Sequence, residues 1–272
     1  MPRLRSSLVA ALALAAFASI VAAAPTTSPA PAASQPLYDP QALPSGALGD
    51  AIRLGHDIID DTKKYVPKNV GAAMSCSACH IGAGTVARGG SFVGVYARFP
   101  QWNKRARRVI ALQDRLAECF LYSMNGTPPA YSSKEMIAMT AYIAYLSRNV
   151  PTGAAQTEAE SFAVPVPSSS PDAAHGAALY GQKCASCHQA NGAGIEGAIP
   201  PLWGPRSFND KAGMSQIARM TGFIRYNMPK NDPGSLSASD AYDIAGWVLA
   251  HARPRFDPSR IVAQPPQRAD FF

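Results

Sequence analysis

Two copies of the pentapeptide C-x-x-C-H, Cys76-Ser-Ala-Cys79-His80 and Cys184-Ala-Ser-Cys187-His188, constrain this chain more than any other feature. The pattern is the attachment motif of a c-type haem. Two thiols add across the vinyl groups of the porphyrin and the adjacent imidazole becomes the proximal iron ligand, so order and spacing are both dictated by the macrocycle. Either copy alone would also suit a thioredoxin-like redox pair. Two copies, one in each half of an exported chain, point instead to two covalently bound c-type haems, attached through Cys76, Cys79, Cys184 and Cys187 with His80 and His188 on iron. A fifth cysteine, Cys119, is left over, and an odd count of five argues against a disulfide scaffold.

Export is read from the first 24 residues, which open with Arg3 and Arg5, continue as an Ala/Leu/Val/Phe run and end in small residues. That is the layout of a secretory signal peptide, with cleavage expected near Ala23. The apolar run is short for a bilayer-spanning helix of about 20 residues, and no later segment is apolar for long enough, so no stable membrane insertion is expected. A composition of 47% hydrophobic and 16% charged residues with a mean hydropathy of -0.06 excludes a multi-span membrane protein and an extended disordered chain. Without Arg3 and Arg5 the chain keeps 23 basic against 18 acidic residues. Basic residues cluster from Arg98 to Arg115, through Lys104, Arg105, Arg107 and Arg108, with Asp114 the one acid in that span. Nucleic acid is not the expected partner of an exported protein; a small anionic substrate suits the compartment better, and a merely solvated face is the other reading.

Pro/Ala/Ser/Thr-rich stretches divide the rest. Residues 25–37 read as a flexible leader, 151–173 as a linker and 258–272 as a tail, leaving expected domains at 38–150 and 174–257. Each is small for a self-sufficient core, which a covalent haem would complete. Helical periodicity precedes each motif and returns at each domain's end, where Ser132-x-x-Glu135 and Ser237-x-x-Asp240 have the form of capping boxes. Before the first motif, Leu48, Ile52, His56 and Ile59 fall near one helix face. Strand signals are weak. The expected fold is all-α: two tandem cytochrome c domains, each with one haem.

A low-spin haem needs a second axial ligand. Met228, in a Met-Pro loop before the last helix, lies 40 residues beyond His188; Met214 and Met220 are its competitors. In the first domain the equivalent position, 39 residues beyond His80, is Cys119. Met124, Met136, Met139 and His56 are alternatives there, and a buried structural thiol is the bland reading of Cys119. Thiolate ligation would lower the potential of the first haem and Met ligation raise that of the second, so electrons entering at the first would run downhill. If 111–126 is one helix, Arg115, Cys119 and Ser123 share a face, flanking the sulfur with a guanidinium suited to oxyanions.

The segments YARFPQWNKR, LQDRLAECFLYSMNG, PPLWGPRSFNDKAGM and GFIRYNMP resemble the dihaem thiosulfate dehydrogenases of bacterial periplasmic cytochromes, over about residues 45 to 257. The resemblance implies periplasmic coupling of two thiosulfate ions to tetrathionate with release of two electrons to a soluble c-type cytochrome or similar acceptor. It also implies His80/Cys119 at an active-site haem, Arg105, Arg115 and Ser123 at the substrate, and His188/Met228 at an electron-exit haem. Cys119 would leave the iron and carry a sulfur adduct in turnover. Some relatives place Lys before the distal Met; here the residue is Asn227, which removes an adjacent competitor for the iron, while Lys230 and Lys211 are poorly placed to replace it. The reading from another class is a dihaem electron carrier without substrate chemistry, whose basic patch docks an acidic partner.

Overall fold

The computed structural model of the protein describes residues 37–155 and 161–261. The expected signal peptide, the leader up to residue 36 and the tail beyond residue 261 lie outside the described residues. Helices dominate: α1 (Ala47–Asp60), α2 (Leu112–Glu118), α3 (Lys134–Leu146), α4 (Ala173–Lys183), α5 (Ile217–Asn227) and α6 (Ala238–Ala250). A two-stranded antiparallel hairpin, β1 (Gln101–Asn103) and β2 (Arg108–Ile110), is the exception that weak strand signals did not predict.

Both halves use the same device to bring their first and last helices together. In the first half α1 crosses α3 at Gly55, where a Cβ would overlap the Ala138 carbonyl oxygen; in the second, α4 crosses α6 at Gly176, where it would overlap that of Asp243. Only the missing side chain allows backbones to approach this closely. Ile52, Ile58 and Ile59 of α1 and Met136, Met139, Tyr142 and Ile143 of α3 are buried around the first crossing. Leu48 was expected on this face but is 57% exposed, because it lies in the first turn of α1, away from the Gly55 crossing. Helix α3 is capped by Ser133, whose hydroxyl accepts from the Met136 N–H at 3.2 Å, one residue later than the expected Ser132. Ser237 caps α6 as expected, accepting from the Asp240 N–H at 3.0 Å.

The segment between the halves is anchored rather than loose where it is described. The Gly153 N–H donates to the Ala97 carbonyl, the Val164 N–H to that of Ala218, and Phe162 meets Phe223 of α5 edge-on at 5.7 Å. The halves also bond directly, Ala73 N–H to Arg206 O at 2.8 Å and Asn209 N–H to Tyr122 O at 3.2 Å.

One ion pair makes the second helix crossing pH-dependent. His175 of α4 donates from Nδ1 to Asp243 of α6 at 2.9 Å, with Asp240 at 3.8 Å from Nε2, and this bond raises the His175 pKa above its ordinary value. A raised histidine stabilises the folded state fully below its unfolded pKa of about 6.5, and that gain is lost as the pH climbs through the folded pKa. His175→Asn should therefore lower the thermal midpoint on the acid side of that range and leave it unchanged on the alkaline side. Equal losses on both sides would show that charge plays no part. The His175 side chain is exposed to solvent, so the effect is small.

Candidate functional site

The first C-x-x-C-H turn is folded back against the end of α1, held there by Thr62 Oγ1, which accepts from the Cys76 N–H at 2.9 Å, and by Ser77, whose hydroxyl donates to the Asp60 carbonyl at 2.6 Å. The His80 ring stacks on Phe92 at 4.2 Å, and its Nδ1 bonds to the Gly90 carbonyl. In the second motif His188 Nδ1 bonds to the Pro200 carbonyl at 3.0 Å. A carbonyl can only accept, so Nδ1 carries the proton in both rings and each Nε2 presents a lone pair, the orientation that metal-ligating histidines need. Burial pushes His80 down to about 4 and lowers His188 as well, so both imidazoles are neutral. Gly90 is indispensable to this arrangement. Its φ is +70°, and a Cβ there would stand 2.5 Å from the Cys79 carbonyl oxygen and 2.9 Å from His80 Nδ1.

Burial pushes the Cys76 and Cys79 thiols up to about 12 and that of Cys184 to about 11. In each motif the two cysteines stand beside an imidazole whose Nδ1 is engaged by a backbone carbonyl, which fits covalent haem attachment with the histidine as iron ligand. The Thr221 hydroxyl of α5 is buried with no hydrogen-bond partner, the one such side-chain atom among the described residues. Burying it alone is costly, consistent with a polar group completing this half.

Cys119 departs from the expected helix. Helix α2 is capped by Asp114, whose carboxylate accepts from the Ala111 N–H at 2.9 Å, and ends at Glu118. From Cys119 to Ser123 the chain winds as a π turn, closed by the Met124 N–H on the Cys119 carbonyl at 2.9 Å. Two features account for the wider turn. Phe120, Leu121 and Tyr122 are all buried, which fixes the turn against the core, and Asn209 of the second half takes the Leu121 carbonyl through Nδ2 and the Tyr122 carbonyl through its N–H. Such turns concentrate at functional sites. A π turn advances fewer degrees per residue, so Ser123, half-buried at its end, does not drift away from the Arg115 side as it would on an α-helix.

Cys119 is close enough to Cys76 and Cys79 for its charge to raise both thiols. It is also the largest influence holding the half-buried Arg115 guanidinium above its ordinary range, ahead of Glu118. Arg115 Nη1 donates to Glu118 Oε2 at 3.2 Å, and the same carboxylate accepts from Asn103 Nδ2 of β1. Arg105, exposed in the hairpin turn, stacks over Tyr122 at 4.3 Å and donates to the Lys211 carbonyl at 3.0 Å. Sequence reasoning missed two residues here. Glu118 positions Arg115, and Arg219 of α5 brings a further guanidinium whose pKa is lowered by burial first and then by the charges of Arg115 and Arg105, with Cys119 acting in the opposite sense. Neither lies within the motif spacing; the i, i+3 relation of Arg115 and Glu118 was the one available signal.

Met228 follows α5 and is half-buried, whereas Met74, Met124, Met136, Met139, Met214 and Met220 are all buried in the core. The preceding Asn227 is committed elsewhere. Its Nδ2 donates to the Arg88 carbonyl at 2.9 Å and to that of Phe223 at 3.1 Å. Trp203 and Trp247 pack with Tyr180 and His251 in one aromatic cluster beneath the second motif.

Comparison with known proteins agrees with this architecture. A family described as "SoxA/TsdA, cytochrome c domain" matches residues 63–152, and one described as "Cytochrome C oxidase, cbb3-type, subunit III" matches 171–248. The thiosulfate dehydrogenase of Allochromatium vinosum is 43% identical over 223 residues, covering 79% of this chain and 82% of its own length. That of Stutzerimonas stutzeri is 39% identical over 223 residues, covering 80% and 72%. Among solved structures, the thiosulfate dehydrogenase TsdBA from Marichromatium purpuratum matches with a TM-score of 0.73 and 33% identity, over 80% of this chain and 49% of that one. The chain thus spans about half the length of that structure.

Proposed function

We propose, for a chain that belongs to the thiosulfate dehydrogenase family, that it couples two thiosulfate ions into tetrathionate at Cys119 and passes two electrons outward through its second half. The protein carries two covalently bound c-type haems, one in each cytochrome c domain. Those domains are taken as 38–150 and 174–257. Two thiosulfates carry four negative charges and tetrathionate carries two, so formation of the central sulfur–sulfur bond releases two electrons, which two one-electron haems can accept. Ligation by His80 and Cys119 in the first half and His188 and Met228 in the second completes the reading. A soluble c-type cytochrome or similar protein in the periplasm is the proposed acceptor; no described helix is long and apolar enough to cross a membrane.

The observation that supports substrate chemistry over simple electron carriage is the concentration of guanidinium groups about a single sulfur. Two dianions repel, and fixed positive charge in a partly buried site offsets that repulsion without reorganising. Arg115, steadied by Glu118, and Arg105, steadied by Tyr122 and the Lys211 carbonyl, hold the oxyanion ends, and the Ser123 hydroxyl donates alongside them. Such donors leave the sulfane sulfurs free to meet. An electron carrier has no need of this arrangement.

Mixing the oxidised protein anaerobically with thiosulfate in a stopped-flow spectrometer tests the reading. Rapid haem reduction is expected, and a failure to react would leave the electron-carrier alternative. Arg115→Ala should slow that reduction and lower kcat/KM about tenfold or more, since one charge-assisted anion contact is worth roughly 1.5–3 kcal/mol. Unchanged kinetics in this variant would put the substrate elsewhere.

A further inference from the structure

We propose that Arg219 is a third anion contact at Cys119, supplied by the second half, so that the substrate site is built across both halves of the chain and is incomplete in either one. The inference rests on the thiosulfate reading above and deepens it.

The geometry begins at the π turn. Asn209 fastens the start of the 209–215 loop to it, through bonds to the Leu121 and Tyr122 carbonyls. Arg105 reaches over Tyr122 and donates to the Lys211 carbonyl at 3.0 Å. Two residues further along, the Arg219 guanidinium lies against Gly213, where Nη1 would stand only 2.9 Å from a Cβ. Two guanidiniums, one from each half, therefore rest on a single three-residue stretch of backbone that is bonded to the turn bearing Cys119. A Cβ at position 213 would make the end of Arg219 shift.

Charge accounting gives this placement a purpose. Arg115 is paired with Glu118 at 3.2 Å, so together they are close to neutral. Among the described residues no carboxylate pairs with Arg105 or Arg219. Arg219 is half-buried, and mutual repulsion with Arg105 and Arg115 adds to its cost. Holding like charges together without counter-charge is unfavourable, and an oxyanion seated between them reverses the sign of that term. Two unpaired guanidiniums match the two negative charges that remain on tetrathionate after the electrons have left. Before that step they offset half of the charge on two thiosulfates, while Arg115 fixes one of the pair next to the sulfur.

Arg219→Met removes the charge and keeps most of the apolar bulk. This variant should retain two haem masses and the oxidised wild-type spectrum, while its KM for thiosulfate rises about tenfold. Sulfate, a dianion that cannot be oxidised, should compete with thiosulfate in the wild type and do so several-fold more weakly in the variant. Arg219→Lys should recover part of both. Wild-type KM and sulfate inhibition in Arg219→Met, with Arg115→Ala still impaired, would overturn the role of Arg219 and leave the thiosulfate reading standing. A wild-type protein that thiosulfate does not reduce would instead remove that reading. If the Met variant loses a haem, Arg219→Gln, which is neutral but polar, takes its place with the same two outcomes.

Discussion

Replacing Cys119 with Met should yield a protein that looks like an ordinary dihaem cytochrome and turns over almost no thiosulfate. A thioether can occupy an axial position, so covalent attachment through Cys76 and Cys79 and the fold around α1 and α3 have no reason to fail. What disappears is a sulfur able to carry negative charge. Cys119 is the largest influence raising the Arg115 pKa, and a thiolate ligand donates electron density that a thioether does not. The potential associated with the first half should rise, and a long-wavelength Met-to-iron band should appear for it in the oxidised spectrum. Steady-state assays with thiosulfate, alongside a redox titration, check both parts. Wild-type activity in Cys119→Met would make this cysteine a bystander.

Changing Cys184 and Cys187 together to Ala should have an effect of similar size for a different reason. Intact mass should fall from the polypeptide plus two haems to the polypeptide plus one. The first half would keep Cys119, Arg115 and Arg105, which all precede residue 151, yet its one haem could take only one electron from a reaction that releases two. Catalytic reduction of an external acceptor should collapse while a single partial reduction by thiosulfate survives. Stability should fall as well, because a domain this small relies on its covalent haem to complete the core. Undiminished turnover in this double variant would mean that electrons leave without using the second half.

Much of this was legible in the sequence because covalent chemistry is local. Five residues in a fixed order specify haem attachment, and the remaining helices follow from apolar periodicity and caps such as Ser237. The features that escaped share a physical cause. The π turn at Cys119 depends on Asn209, which is remote in sequence and competes for the Leu121 and Tyr122 carbonyls. Arg219 enters the site only because the halves pack together, and no periodicity within α5 distinguishes it from a solvated charge. The cap at Ser133 instead of Ser132 is an ambiguity between adjacent serines that only backbone geometry decides. The Gly55 and Gly176 crossings were hidden for the opposite reason: a glycine carries no side chain for a pattern to register.

The bond from Asn227 to the Arg88 carbonyl also ties the two halves together. His80 is oriented by Gly90, two residues from Arg88, and Met228 directly follows Asn227. The imidazole of one half and the thioether of the other are therefore referenced to the same three-residue stretch, although Asn227 and Arg88 are 139 residues apart along the chain. A displacement of that stretch is expected to carry both groups together and so to change their separation little. With the proposed ligation by His80 and Met228, the alignment of the two haems would be set by one short segment and not by the 139 residues of chain between Arg88 and Asn227.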